Sequence, residues 1–94
     1  MLRFDWDESK NRANRKKHGI WFEEALSAFT DPHALLFSDP DHSENEERIV
    51  LLGVTEASRL VVMVHCYRED DALIRIISAR PATNKETAFY EKGI

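Results

Sequence analysis

The sequence predicts a single α+β domain over residues 1–94, with an antiparallel β-sheet of four to five strands, two N-terminal helices and one C-terminal helix. Three segments rich in Val, Ile and Leu predict the main strands, at about Arg48–Val54, Arg59–Tyr67 and Leu73–Ala79. The turns between them, Thr55–Ser58 and Arg68–Asp71, are too short for a parallel crossover, so these strands are expected to be antiparallel. A chain of this length supports one hydrophobic core.

The N-terminal segment predicts a brief strand and a polar helix. Apolar and polar residues alternate over Phe4–Trp6. Asp7 is expected to cap a helix that runs to about Lys17, and Gly19 is expected to end it in a left-handed conformation. The only apolar residue inside this helix is Ala13, so burial of apolar surface contributes little to its stability.

The remaining elements follow from periodicity and capping signals. A second helix is predicted by one apolar stripe, formed by Phe22, Ala25, Leu26 and Phe29. Thr30–Pro32 ends that helix, and Ala34–Phe37 is expected to be a short strand. Thr83 and Glu86 have the spacing of a capping box, which predicts a final helix over about Asn84–Lys92.

The net charge of −4 is unevenly distributed. Residues 1–18 carry six basic and three acidic groups, whereas residues 19–47 carry eight acidic groups and no Lys or Arg. Nucleic-acid-binding proteins are usually basic overall, so contact with RNA would need a local basic patch. The acidic segment could instead attract a basic partner protein.

Several classes of protein are not expected. The longest apolar run, Leu60–Val64, is too short to span a membrane, and the charged N-terminal residues do not resemble a signal peptide. Cys66 is the only cysteine, so no internal disulfide can form, and the expected location is the reducing cytoplasm. The histidines lack the spacing of a metal site, so we expect neither a metal nor another cofactor.

Acid–base and phosphate-binding groups occur in two regions, which contain His42, Glu47 and Arg48, and Arg68, Arg75 and Arg80. Metal-independent RNA cleavage needs a base for the 2′-hydroxyl proton, cations for the phosphate oxygens and an acid for the leaving 5′ oxygen. Arginine suits the second role because its planar guanidinium binds two phosphate oxygens at once. His42 or Glu47 could be the base, and His65 could be the acid. Such a site would act on RNA only, because DNA lacks the 2′-hydroxyl.

These residues also have ordinary structural interpretations. Arg75, among branched apolar residues, could pair with an internal carboxylate, and His65 could simply fill the core. Arg75 and Arg80 are five residues apart, so a regular strand would turn them to opposite faces. They can converge only if the strand bends or ends before Arg80.

Motifs spread over most of the chain include Phe4-Asp5-Trp6-Asp7, Lys17-His18-Gly19, Phe22-Glu23-Glu24-Ala25, Glu46-Glu47-Arg48, Ile74-Arg75-Ile76-Ile77-Ser78-Ala79-Arg80 and Ala82-Thr83. In this order and spacing the chain resembles the BrnT toxins, which have a RelE-like fold. The resemblance implies a bacterial ribonuclease toxin and a BrnA-like antitoxin, a small DNA-binding protein whose complex with the toxin represses their operon.

The same resemblance assigns the RNA-cleaving surface to charged residues of the sheet. The matching positions are Glu47, Arg48, Arg75 and Arg80, with His42 as a further catalytic candidate. We assign RNA contact to Lys10, Lys17, Arg68 and His65. Operator DNA would be bound only through the antitoxin complex.

Two positions depart from the family pattern, and two other functions remain open. Trp21 replaces a small or polar residue, which removes a good cap from the second helix, and Pro81 follows Arg80 where a basic residue is common.

The second departure, at Pro81, and the negative net charge favour a non-catalytic module that only pairs with an antitoxin or regulator. The basic Lys10–Lys17 segment suggests a DNA-binding regulator, but the acidic second helix lacks the character of a recognition helix.

Overall fold

The computed structural model describes residues 3–39, 47–70 and 72–93. Its elements are β1 (Arg3–Asp5), α1 (Glu8–His18), α2 (Phe22–Ala25), a 3₁₀ segment (Leu26–Thr30), β2 (Leu35–Ser38), β3 (Arg48–Val54), β4 (Leu60–Arg68), β5 (Leu73–Pro81) and α3 (Asn84–Lys92). The predicted order of strands and helices is confirmed. The second helix differs in detail, since it is one α-helical turn that continues as a 3₁₀ helix.

The strands form one five-stranded sheet in the order β1-β5-β4-β3-β2. The pairs β2–β3, β3–β4 and β4–β5 are antiparallel, as the short turns predicted. β1 instead lies parallel to β5, with Arg3 opposite Leu73 and Asp5 opposite Arg75. The α+β class is therefore confirmed, but the sheet is mixed rather than antiparallel throughout. No hairpin sets the direction of β1, because both helices and three strands separate it from β5 along the chain.

A β-bulge interrupts the pairing of β4 with β5. Val64 lies opposite Ser78, whereas the next residue, His65, lies opposite Ile76. Ile77 is therefore one extra residue on β5, and the residues after it change faces relative to a regular strand.

The bulge allows Arg75 and Arg80 to lie on the same face of the sheet, although they are five residues apart. Arg75 lies opposite Cys66 and Arg80 lies opposite Val62. Cys66 and Val62 are four residues apart on β4 and share a face, so the two arginines share that face as well.

The opposite face of the sheet carries the core and the N-terminal helices. The buried cluster consists of Ile20, Phe22, Ala25, Ala28, Leu51, Val61, Met63, Ile76 and Ala79. Trp21 precedes α2 without a side-chain capping hydrogen bond and is 42% exposed. α2 is a single helical turn whose Phe22 and Ala25 are buried in the core. It therefore lacks the exposed face of the recognition helix that a DNA-binding regulator would need.

Buried asparagines attach α1 to the domain, and the sequence did not reveal this. Asp7 and Gly19 (φ 75°) cap the helix as predicted. Its buried residues are Asn11 and Asn14. Asn11 accepts a hydrogen bond from the Phe22 backbone N–H at 2.7 Å. A polar helix can therefore dock firmly, because its buried amides satisfy backbone groups.

Asn14 joins α1 to the sheet as well as to the loop that follows the helix. Its Nδ2 donates to the Ile20 carbonyl at 2.9 Å, and its Oδ1 accepts from the Ala79 N–H at 3.1 Å. β1 pairs with β5 only as far as Arg75. The Asn14 side chain thus covers part of the edge of β5 that β1 leaves open.

α3 packs on the face of the sheet opposite the core. The Phe89 ring lies 5.5 Å from the Phe37 ring, and the Tyr90 hydroxyl donates to Asp31 Oδ2 at 2.5 Å. That hydrogen bond raises the pKa of Tyr90 to about 12. These contacts fix α3 beside Arg80, which bonds to Glu86 of the helix.

Candidate functional site

A cleft of about 310 Å³ lies on the sheet face opposite the core, between α3 and the end of α1. We call it the Arg80 groove. Its lining residues are His18, Ser38, Asp39, Val50, Val62, Val64, Ser78, Ala79, Arg80 and Glu86. The valines alternate with core residues on β3 and β4, so they form an apolar floor, and the polar groups lie around it.

The guanidinium of Arg80 is held in this groove by Glu86 of α3. Arg80 NH1 and NH2 donate to the two carboxylate oxygens of Glu86 at 2.8 and 2.9 Å. The hydrogen bonds from Arg80 are the main cause that lowers the pKa of Glu86 to about 2, and they raise the pKa of Arg80 in return. Glu86 also accepts from the Thr83 N–H in the capping box of α3. The two side chains remain 41% and 31% exposed, so water and ligands can reach the pair.

Arg75 also has a carboxylate partner. Its NH1 donates to Asp5 Oδ2 of the neighbouring strand β1. The side chains are 31% and 45% exposed. Ion pairs at such exposure contribute about 0–1 kcal/mol, so an incoming phosphate can compete for either arginine.

Arg48 and Arg75 belong to one cross-strand row. Arg48 lies opposite Cys66, which lies opposite Arg75. Arg80 lies in a different row, four β4 residues away, which corresponds to about 13 Å along the strand. The structure therefore places the three arginines on one face without joining them in a single pocket.

The other predicted sheet residues have different surroundings. Glu47 is exposed immediately before β3, and Arg68 is exposed at the end of β4, opposite Leu73. His42 lies outside the described residues.

His65 lies on the core side of the sheet. It has no exposed surface and lies between the rings of Phe29 and Tyr67, at centroid distances of 5.0 and 5.4 Å. Burial lowers the pKa of His65 and so disfavours its protonated form. A side chain with no exposed surface cannot contact RNA in this structure, which argues against the RNA contact and the acid role predicted for His65.

The predicted lysines of α1 lie next to the groove. A second cleft of about 220 Å³, which we call the α1 cleft, is lined by Lys10, Ala13, Asn14, Lys17, His18, Ile77 and Ser78. His18 and Ser78 line both clefts. The basic side of α1 is therefore continuous with the Arg80 groove.

Comparison with known proteins decides the family. A family model described as "Ribonuclease toxin, BrnT, of type II toxin-antitoxin system" matches residues 6–86. The chain belongs to the BrnT toxin family. This confirms the resemblance drawn from the sequence motifs.

A solved BrnT structure shows the same fold. The crystal structure of the Brucella abortus ribonuclease toxin BrnT superposes with a TM-score of 0.64 at 22% sequence identity, covering 89% of this chain and 100% of that chain. A search of curated proteins found no match.

The Arg80 groove includes residues to which sequence reasoning assigned no role. His18, Ser78 and Glu86 all line the Arg80 groove. His18 and Ser78 stand inside motifs quoted for the resemblance, Lys17-His18-Gly19 and Ser78-Ala79-Arg80, and Glu86 was assigned only to the capping box. The motifs therefore contained these residues, but the sequence could not show that the end of α1 lies next to β5, because that proximity exists only in the folded chain.

Within residues 3–39, 47–70 and 72–93, no three His, Cys, Asp or Glu side chains form a group that could hold a metal ion. In the same segments no helix has the length and apolar composition to cross a lipid bilayer.

Proposed function

We propose that this chain is an endoribonuclease toxin that cleaves RNA through attack of the 2′-hydroxyl, without a metal ion, and that a BrnA-like antitoxin neutralises it. The supporting observation is the continuity of the Arg80 groove with the basic α1 cleft through His18 and Ser78. RNA phosphates could follow Lys10 and Lys17 into the groove. A local basic track of this kind compensates for the negative net charge of the whole chain.

In this proposal Arg80 binds the scissile phosphate. Its two donor groups, now occupied by Glu86, transfer to two phosphate oxygens and stabilise the charge that gathers there in the transition state. Arg48, Arg75 and Arg68 contact the RNA backbone further along the strands. Glu47 lies one residue beyond Arg48, more than about 13 Å along the sheet from Arg80, so it is too far to take the 2′-hydroxyl proton there. His42 is therefore the base of this proposal.

The antitoxin and the location are parts of the same proposal. Acidic residues 19–47 would attract a basic partner, and operator DNA would be bound only in the complex with that partner. The toxin would act in the cytoplasm, where its RNA substrates are.

The experiment is cleavage of a panel of RNAs by the purified chain in the presence of EDTA. Matched oligonucleotides that lack 2′-hydroxyls serve as controls. We expect products with 2′,3′-cyclic phosphate and 5′-hydroxyl ends from RNA, and no cleavage of the deoxy oligonucleotides. Cleavage of DNA, or cleavage abolished by EDTA, would contradict the mechanism, and inactivity on every RNA would contradict the function.

A second function is favoured by the ion pairs of Arg75 with Asp5 and Arg80 with Glu86. If these pairs persist in solution, the chain is a non-catalytic module that binds an antitoxin or regulator. Such a module would form a stable complex with the antitoxin and leave RNA intact. Growth of bacteria that express the chain alone separates the two functions, because only the ribonuclease should arrest it.

A further inference from the structure

His18 is placed where α1 meets the functional face of the sheet. It is the last residue of α1 and is partly buried. It lines the Arg80 groove together with Ser78 and Arg80. An imidazole at this place shares the groove with the guanidinium to which we assign the scissile phosphate.

The backbone around His18 is fixed on both sides. Asn14, one turn earlier on the same helix face, bonds to the N–H of Ala79, the residue between Ser78 and Arg80. Asn14 also bonds to the carbonyl of Ile20, two residues after His18. Functional groups on rigid elements keep their geometry without reorganisation. The buried asparagine thus positions His18 relative to β5.

The other described histidines are placed elsewhere. His65 is buried on the core side, and His33 is exposed in the turn after the 3₁₀ segment, where its N–H donates to Asp31. Among the described residues, His18 is therefore the histidine that lines the Arg80 groove.

The charged groups that line the two clefts together with His18 come from four parts of the chain: Lys10 and Lys17 on α1, Arg80 on β5, Asp39 after β2 and Glu86 on α3. Carboxylates are ordinarily ionised near neutral pH, and ammonium and guanidinium groups retain their protons. An imidazole is the side chain that can donate a proton to a leaving group under these conditions.

We propose that His18 is the general acid of the Arg80 groove and protonates the 5′ oxygen that leaves when RNA is cut. The inference rests on the proposed ribonuclease function. The 2′ oxygen forms a bond to phosphorus and loses its proton to the base, while the bond from phosphorus to the 5′ oxygen breaks. The proton of the His18 imidazolium passes to that oxygen. The products are a 2′,3′-cyclic phosphate and a 5′-hydroxyl.

The test compares ordinary RNA with RNA in which sulfur replaces the 5′ bridging oxygen. A thiolate leaves without protonation, so the modified substrate does not need the acid. On ordinary RNA, His18→Gln and His18→Ala should lower kcat by about 100-fold with little change in KM. On the sulfur-containing substrate both variants should cleave within about threefold of the wild type, whereas a residue that only supports the structure would show the same loss on both substrates.

A pH profile gives an independent readout. The wild-type rate should fall on the alkaline side of its pH profile as the general acid loses its proton, and this limb should be absent from the His18→Gln variant. His33→Gln is the matched control and should behave as the wild type.

The outcomes separate this inference from the proposed function. A wild-type chain inactive on every RNA overturns both. An active wild type with His18 variants that cleave ordinary RNA normally, or that lose equal activity on both substrates, overturns the role of His18 alone. Thermal unfolding of each variant identifies any loss of fold.

Discussion

Replacement of Glu86 by glutamine should lower the stability of the fold and at the same time make Arg80 more available to RNA. The change removes the negative charge that occupies Arg80. Glutamine can still accept the Thr83 N–H, so the capping box of α3 is retained. Tyr90 and Phe89 continue to attach the helix.

The expected loss of stability follows from the pKa of Glu86. A pKa of about 2 against the ordinary 4.5 corresponds to an upper limit of about 3.4 kcal/mol. Because the partners are 31% and 41% exposed, solvent screening reduces this to about 1 kcal/mol. The pKa is lowered in the folded state, so the stabilisation is fully present above pH 4.5 and is lost as the pH falls towards 2.

Thermal unfolding followed by circular dichroism measures this effect. At pH 7 the Glu86→Gln variant should unfold about 4–8 °C below the wild type, and the difference should shrink between pH 4.5 and about 2. Glu91→Gln, at an exposed position of the same helix, is the matched control and should change the unfolding temperature little.

The same variant should bind RNA more tightly. Without the competing carboxylate, Arg80 is available to phosphate, and about 1 kcal/mol corresponds to a roughly fivefold lower KM. Unchanged stability at pH 7 together with an unchanged KM would refute the competition between Glu86 and phosphate.

Three further variants test other parts of the structure. Asn14→Ala leaves two backbone groups unsatisfied and should lower the free energy of unfolding by about 2–4 kcal/mol, measured by urea denaturation; a loss under about 0.5 kcal/mol would contradict the anchoring role. Lys17→Ala should weaken RNA binding and reduce its salt dependence by about 0.7 in the log–log slope, whereas Lys92→Ala should not, and equal slopes would exclude a phosphate contact by Lys17. Arg75→Ala should relieve growth arrest while the chain stays folded, and persistent toxicity would remove Arg75 from the site.

Much of the fold could be predicted because it depends on local signals. The Thr83 and Glu86 capping box gave the bounds of α3, and the apolar runs gave β3 to β5 within two residues at each end. The direction of β1 could not be predicted, since it depends on an edge of β5 that exists only in the assembled sheet. The bulge at Ile77 also depends on pairing with β4, in a segment that reads as a regular strand.

The candidate site was less predictable because it depends on tertiary contacts. The sequence identified Arg75 and Arg80 but not the carboxylates that pair with them. Histidine is a common active-site residue, but the position of His65 on its strand directs the side chain towards the core. Asn14 shows the opposite case, because a polar residue on a polar helix gives no sign that it is buried.

The role of Arg80 is tested most directly by the rate of RNA cleavage in EDTA by the purified wild type, Arg80→Lys and Arg80→Ala proteins. Arg80→Ala should lose about 100-fold or more in rate, and Arg80→Lys should be intermediate because lysine keeps the charge but not the paired donors. Cleavage by Arg80→Ala at the wild-type rate would show that Arg80 does not bind the scissile phosphate.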